Sequence, residues 1–276
     1  MQFALVASKR VQAEPQLQGL CCCCSKPVVA KCGSQKIWHW AHKSKTNCDN
    51  WWEPETEWHR IWKNNYLSEW QETPLIDKKT GEKHIADICT SHNLVIEFQH
   101  SHIDPQEITS REAFYKNMVW IVDGTRLKRD YARFEKEWKN HGLSEVHETD
   151  KLGIFKIGFP EYCFPKNWLK RSVPVVFDFR GHSSLEDSGD LRNPLYCLFP
   201  TVGNHTRVAV IPRKAFVTTT TSGEWASRVK EFMTNLRKYD EMQRLRQQQI
   251  VSSSVGFRQL GSPLNRFIYN RKRRRF

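Results

Sequence analysis

Residues 83–101 read KHIADICTSHNLVIEFQHS, placing an aspartate and a glutamate inside two short runs otherwise built like buried strands. Asp87 stands between Ala86 and Ile88, and Glu97 between Ile96 and Phe98. A carboxylate left partly buried and unpaired costs several kcal/mol, roughly, so each needs a basic side chain or a metal ion as partner. The runs near 84–90 and 94–100 are joined by Ser91, His92 and Asn93, which predicts a hairpin. Adjacent strands then carry Asp87 and Glu97 on one sheet face, close enough to share a hard cation. Magnesium, with manganese as its substitute, favours one or two carboxylates completed by water and substrate phosphate. The period of two puts Gln99 on the face of Glu97. The alternative is a pair of salt bridges, to Lys83 or Arg111.

Working outward, residues 55–70 (ETEWHRIWKNNYLSEW) have helical spacing, with Trp58, Ile61, Trp62 and Tyr66 on one side. Glu55, His59 and Lys63 stand at i, i+4 and i+8, roughly a second face. If that face covers the strands, three carboxylates, an imidazole and an ammonium converge. The stretch TPLIDKKTGEKH, 73–84, reads as a turn punctuated by Gly81. Pro105 opens a helix to about Lys116 with Asp104 as N-cap. MVWIVD at 118–123 is a compact apolar strand, and 126–140 is an amphipathic helix. Helix, strand, strand, helix, strand in that order predicts an α/β core with a mixed sheet. Further on, 173–179 and 206–211 read as strands. Trp225 to about Ile250 reads as a long helix whose stripe of Trp225, Val229, Phe232, Leu236 and Tyr239 suits docking.

Six of the nine cysteines lie within residues 21–48. A secreted disulfide framework would spread them out and follow a signal peptide, and MQFALVASKR is too short and wrongly flanked for one. Cys21 and Cys24 have the C-x2-C spacing that presents two thiolates to one tetrahedral ion, and His42 and Cys48 complete a zinc set, with His39 as the substitute ligand. Four closed ligands make such a site structural. Free buried thiols are the alternative.

Hydrophobic residues form 39% of the 276, with 11 tryptophans and 15 phenylalanines, enough for a large core. No segment approaches a membrane span, so a soluble protein of the cytoplasm is expected. Residues 1–150 carry 20 basic and 21 acidic side chains, whereas 151–276 carry 23 and 9. The basic half suits a nucleic-acid backbone, and RKRRRF at the end sharpens the bias. Three regions are expected: a zinc-binding module at 1–50, an α/β core at 51–145, and a basic C-terminal region of α+β character with a long helix and cationic tail at 146–276.

The order C-x2-C, HWAH, ETEWH…K, ADI…IEFQHS, then Arg111 and Tyr115, resembles the competence protein CoiA-like family over about residues 1–125. That resemblance implies a PD-(D/E)XK nuclease core, a mixed sheet flanked by helices. It makes Asp87 and Glu97 the metal-binding pair and Glu55 the acidic residue of the preceding helix. Gln99 stands where the wider superfamily has lysine, and Lys63 is the candidate replacement. His59, Arg111 and Tyr115 would line or brace the site. The implied activity is magnesium-dependent hydrolysis of DNA, in recombination or defence. The competing readings are a catalytically inactive zinc-containing DNA-binding protein and a zinc-stabilised module that binds protein.

Overall fold

The computed structural model describes residues 1–44, 48–51, 53–140, 142–181, 185, 187 and 189–259, with side chains to 250. RKRRRF lies outside the described residues. The strand and turn expected at 3–13 form a hairpin, β1 (Phe3–Val6) with β2 (Lys9–Gln12), turning through Ala7 and Ser8 at positive φ. β3 (Gln18–Leu20), β4 (Pro27–Lys31) and β5 (His39–His42) complete an antiparallel sheet ordered β2-β1-β3-β4-β5. Its small core gathers Ala4, Ala13, Cys21, Val28 and Trp40, and the Trp40 indole donates to the Val11 carbonyl at 3.1 Å.

The next helix, α1 (Glu57–Lys63), is shorter than its periodicity predicts. Thr56 caps it, reciprocally bonded with His59, and the Asn65 amide takes the carbonyls of Ile61 and Trp62, closing the last turn. Trp58, Trp62 and Tyr66 are buried as expected, but Ile61 is exposed, because one apolar face of a two-turn helix cannot hold all four.

The stretch read as a turn contains a strand, β6 (Gln71–Ile76), and only 77–82 turns. β6 is an edge strand, where Pro74, a residue with no amide hydrogen, is tolerated. β7 (Lys83–Cys89) and β8 (Val95–Gln99) are the predicted hairpin. α2 (Pro105–Tyr115), capped by Asp104, crosses to β9 (Met118–Asp123), which runs parallel to β8. After α3 (Lys128–Asn140) come β10 (Val146–Glu148), β11 (Ile154–Ile157), β12 (Val175–Asp178), β13 (Leu195–Leu198) and β14 (Thr206–Ile211). These join one nine-stranded mixed sheet ordered β10-β11-β14-β13-β12-β9-β8-β7-β6. Within it β12 pairs directly with β9, since the buried edge of a parallel strand needs a neighbour.

On one side of the sheet Ile108 and Tyr115 of α2 and Phe134 and Trp138 of α3 pack with Trp120, Val122, Val175 and Phe177. Each such large apolar side chain contributes about 1.5–3 kcal/mol on burial. On the other side Trp62 stacks on Phe98 and meets Phe216 of α4 (Arg213–Thr221). Asp178 points into that layer. Its carboxylate accepts from the indoles of Trp58 (3.1 Å) and Trp62 (2.9 Å), from Arg180 N (2.8 Å) and from the Arg213 guanidinium. Burial alone would raise its pKa, but Arg213, Trp58 and the Arg180 amide hold it below the usual range.

Residues Met1–Lys230 form one compact unit and Glu231–Phe276 a second. The expected long helix is α5 (Glu224–Gln259), and Trp225 at its start packs edge-on against Phe216. Among the described residues no helix is long and apolar enough to cross a membrane.

Candidate active site

The β7–β8 ladder pairs Ile88 with Ile96 and Cys89 with Val95, and the same register sets Asp87 opposite Glu97. There the backbone bonding gives way to side chains. The Asp87 amide donates to Glu97 Oε1 (3.1 Å), and the Phe98 amide donates to Asp87 Oδ2 (3.0 Å). Amides left over where a ladder stops need acceptors, and here the two acidic side chains supply them. Their other oxygens meet cations: Lys63 Nζ lies 3.0 Å from Asp87 Oδ1, and Arg111 Nη1 donates to Glu97 Oε2 at 2.8 Å. Arg111, one of the two salt-bridge partners considered for the pair, thus takes Glu97. Lys63, rather than Lys83, takes Asp87.

Lys63 comes from the end of α1 and is buried, its ammonium within 3.3 Å of Glu55 and 3.5 Å of Glu72. Burial alone would lower its pKa, but Asp87, Glu55 and Glu72 together raise it well above normal, so the group stays charged. Glu55 lies just before the Thr56 cap, outside the helix, and still reaches both Arg60 (2.8 Å) and Lys63. The His59 Nε2 meets Glu53 Oε1 (2.9 Å) and the Phe98 carbonyl (3.1 Å), and its Nδ1 accepts from the Thr56 amide (3.2 Å). One cleft is lined by Asp49, Glu53, Glu55, Glu72, Asp87 and Glu97, with Lys63, Arg111 and His59 among them. Burial, and then the nearby Asp87 charge, push the Glu97 carboxyl up to about 8 despite Arg111. Glu55 Oε2 is buried without a hydrogen-bond partner.

Two expected members lie elsewhere. The Gln99 amide donates to Glu53 Oε2 (2.9 Å) and to Ser101, on the wall of a separate small cavity with Asp123 and Trp168, so it braces Glu53 and does not enter the cleft. Tyr115 packs against Trp51 and Phe114 in the core. Three cleft residues escaped sequence reasoning. Asp49 and Glu53 precede α1 in irregular chain, and Glu72 sits in the strand mistaken for a turn. QETPLI, polar at 71–73 and apolar at 75–76, has no alternation that could have marked the last.

The sulfur and nitrogen atoms of Cys21, Cys24, His42 and Cys48 all lie within 4.8 Å of one another, the group among the described residues that converges as metal ligands do. Cys21 Sγ and Cys48 Sγ are 3.6 Å apart, and Cys24 Sγ is 3.3 Å from His42 Nε2. A tetrahedral zinc with thiolates at ~2.3 Å sets ligand atoms roughly 3.7 Å apart, so the four side chains fit a structural zinc. His39 stands outside the group, bonding the Ile37 carbonyl. All nine cysteines are free of disulfides. The cluster adjoins the cleft through the chain itself. Asp49, next to Cys48, accepts from Ile85 N (2.7 Å) and contacts His84 (2.9 Å), while the Trp51 carbonyl takes Arg111. Stripping zinc with a chelator is therefore expected to loosen the 48–55 segment and lower any cleavage at least tenfold while the large sheet persists. Hydrogen exchange should show new exposure at 1–55 but not in β8 or β9; uniform loss of protection, or none, would contradict it.

Residues 8–50 match the family model described as Competence protein CoiA, N-terminal domain, and residues 80–163 match Competence protein CoiA, nuclease-like domain. The first covers all but β1 of the small sheet and reaches past Cys48, and the second contains Asp87, Glu97 and Arg111. Together, in this order, they bear out the resemblance to the CoiA-like family. No curated protein and no solved structure matches the chain.

Proposed function

We propose that this chain is a metal-dependent nuclease that hydrolyses DNA phosphodiester bonds, with a structural zinc in its N-terminal sheet. The observation that carries the reading is the carboxylate pair of β7 and β8 beside a buried ammonium, inside the segment that matches a nuclease-like domain. The donor set suits a hard cation. Six carboxylates face two permanent cations, Glu97 is forced toward protonation, and Glu55 keeps an oxygen without a partner. Magnesium or manganese, when bound by Asp87 and Glu97, polarises a phosphoryl oxygen and makes a bound water more acidic.

The rest falls to the chain. Lys63, kept protonated by its carboxylates, cannot abstract a proton; it donates to a phosphate oxygen or orients the water as charge builds. Arg111 fixes the Glu97 carboxylate and is itself anchored by Glu107 and the Trp51 carbonyl. The surplus cations of residues 151–276 hold the substrate backbone by phosphate contacts, in steeply salt-dependent fashion. Digestion of single-stranded, duplex and branched DNA with and without magnesium or manganese tests the reading.

A second reading has its own observation. Asp87 and Glu97 each already hold a cation, and Gln99 replaces the usual lysine, as in a DNA-binding protein that keeps the fold without the chemistry. Tight binding with no cleavage of any substrate would select it.

The raised Glu97 sets a pH dependence. Below about 8 the folded, metal-free chain retains a proton there that a cation must displace. At subsaturating magnesium the rate should rise roughly tenfold per pH unit from 6 toward 8 and then level, and saturating metal should flatten the slope. In folding terms the raised value favours the folded chain below the ordinary carboxyl range, and that contribution is lost as pH rises through about 8.

A further inference from the structure

Glu72 enters above only as one of three carboxylates that keep Lys63 charged, yet its own position is set by several contacts. It stands between Gln71, which pairs with Ile88, and Thr73, which pairs with Ala86, and so lies opposite Asp87 on the edge strand. Its backbone is at φ 45°, the left-handed region that a residue with a Cβ enters only when its surroundings compel it. The compelling contacts come from the other sheet. The Gln2 amide donates to both carboxylate oxygens (2.7 and 2.8 Å), and the Phe3 amide, at the start of β1, donates to Oε2 (3.1 Å). Just before Glu72 the Arg10 guanidinium of β2 grips the carbonyls of Ser68 and Gln71. The remaining contact of Oε1 is Lys63 Nζ at 3.5 Å.

The Lys63 ammonium donates to Glu55 and Glu72 and pairs with Asp87 at 3.0 Å, so three carboxylates set where it points. Asp87 and Glu55 belong to the cleft whatever the small sheet does. Glu72 is the member whose aim is set from outside. We propose that Glu72 is a positioning residue for Lys63, and that backbone amides of the N-terminal sheet aim it, so that the zinc-bearing module completes the cleft it adjoins. This deepens the nuclease reading and rests on it for its catalytic meaning. Cohesion alone would be served by any neutral acceptor; steering an ammonium requires the charge. Burial alone would raise the Glu72 pKa, but Lys63, the amino terminus and the two amides overcome it and hold the carboxyl at about 2, so the charge is present at every working pH.

The test reads Lys63 directly. Zinc-loaded protein with 15N-labelled lysine side chains is observed by NMR at neutral pH, with Lys63→Arg to assign the ammonium signal, in wild type, Glu72→Gln and Gln2→Pro. Glu72→Gln keeps the shape and one acceptor while removing the charge. Gln2→Pro keeps the carboxylate and removes the amide that touches both of its oxygens. The expected result is a Lys63 ammonium signal that moves and exchanges its protons with water about tenfold faster or more in Glu72→Gln, with a smaller change the same way in Gln2→Pro. In cleavage, kcat falls about tenfold or more and DNA affinity is unchanged. A Lys63 signal that keeps its position and exchange rate in folded Glu72→Gln overturns the proposal. If that variant does not fold, an unshifted signal in Gln2→Pro overturns it. Wild type that shows the Lys63 shifts but cleaves nothing sinks the nuclease reading alone.

Discussion

Asp87→Ala is expected to lose cleavage by about a thousandfold or more while remaining folded, and Glu97→Ala to match it. Each removes one of two protein ligands proposed for the catalytic cation, and each uncouples a backbone amide from its acceptor where the β7–β8 ladder ends. A bound metal supplies several kcal/mol of transition-state stabilisation, and about 4 kcal/mol corresponds to roughly three decades in rate. The stability effects should separate the two. Asp87 is partly exposed, and its loss leaves Lys63 with Glu55 and Glu72, so the melting temperature should change little. Glu97 is buried against Arg111, which keeps Glu107 as a partner, so this variant should be measurably less stable. Asp87→Asn, which keeps the shape, should be as inactive as the alanine variant. Full activity in both alanine variants would remove the carboxylate pair from the chemistry.

The largest effect on stability is expected far from that pair. Asp178→Ala leaves the Arg213 guanidinium and the indole N–H groups of Trp58 and Trp62 without their shared acceptor in a buried layer. Removing one partner of a buried ion pair costs about 3–5 kcal/mol. For a unit of this size that lowers the melting midpoint by roughly 10–15 °C. Because Trp58 and Trp62 lie on α1, the loss reaches Lys63 on the same helix, and any cleavage should fall with the melt. Asp178→Asn should recover part of the stability through the indoles but not through Arg213. A midpoint within a degree or two of wild type for Asp178→Ala would show that this node carries little of the fold.

How far these features could be read from sequence depends on the range over which each is determined. β8, α2 and β9 are continuous apolar runs or capped periodic segments, so local pattern fixes them. The four candidate zinc ligands were equally legible, because C-x2-C and the later His and Cys lie within 28 residues and report a local turn. Asp87 and Glu97 stood out because each violates the pattern around it. Glu53 and Glu72 violate nothing nearby. Glu53 becomes a site residue through His59, Gln99 and Ser101, and Glu72 through amides 70 residues earlier. The short strands β10 and β11 likewise carry little signal of their own and exist because β14 offers an edge to β11 and β11 one to β10. Gln99 shows the limit of the period of two: it lies on the face of Glu97, but Glu53 and Ser101 draw its amide aside.

Manganese binding tests the central claim most directly. Zinc-loaded wild type, Asp87→Ala, Glu97→Ala and the double variant are titrated with manganese at pH 8, and bound ion is read by electron paramagnetic resonance. The account predicts a saturable site in wild type that weakens by at least tenfold in each single variant and vanishes in the double. Manganese bound equally well by wild type and the double variant, alongside undiminished cleavage, would place the cation elsewhere and contradict the account.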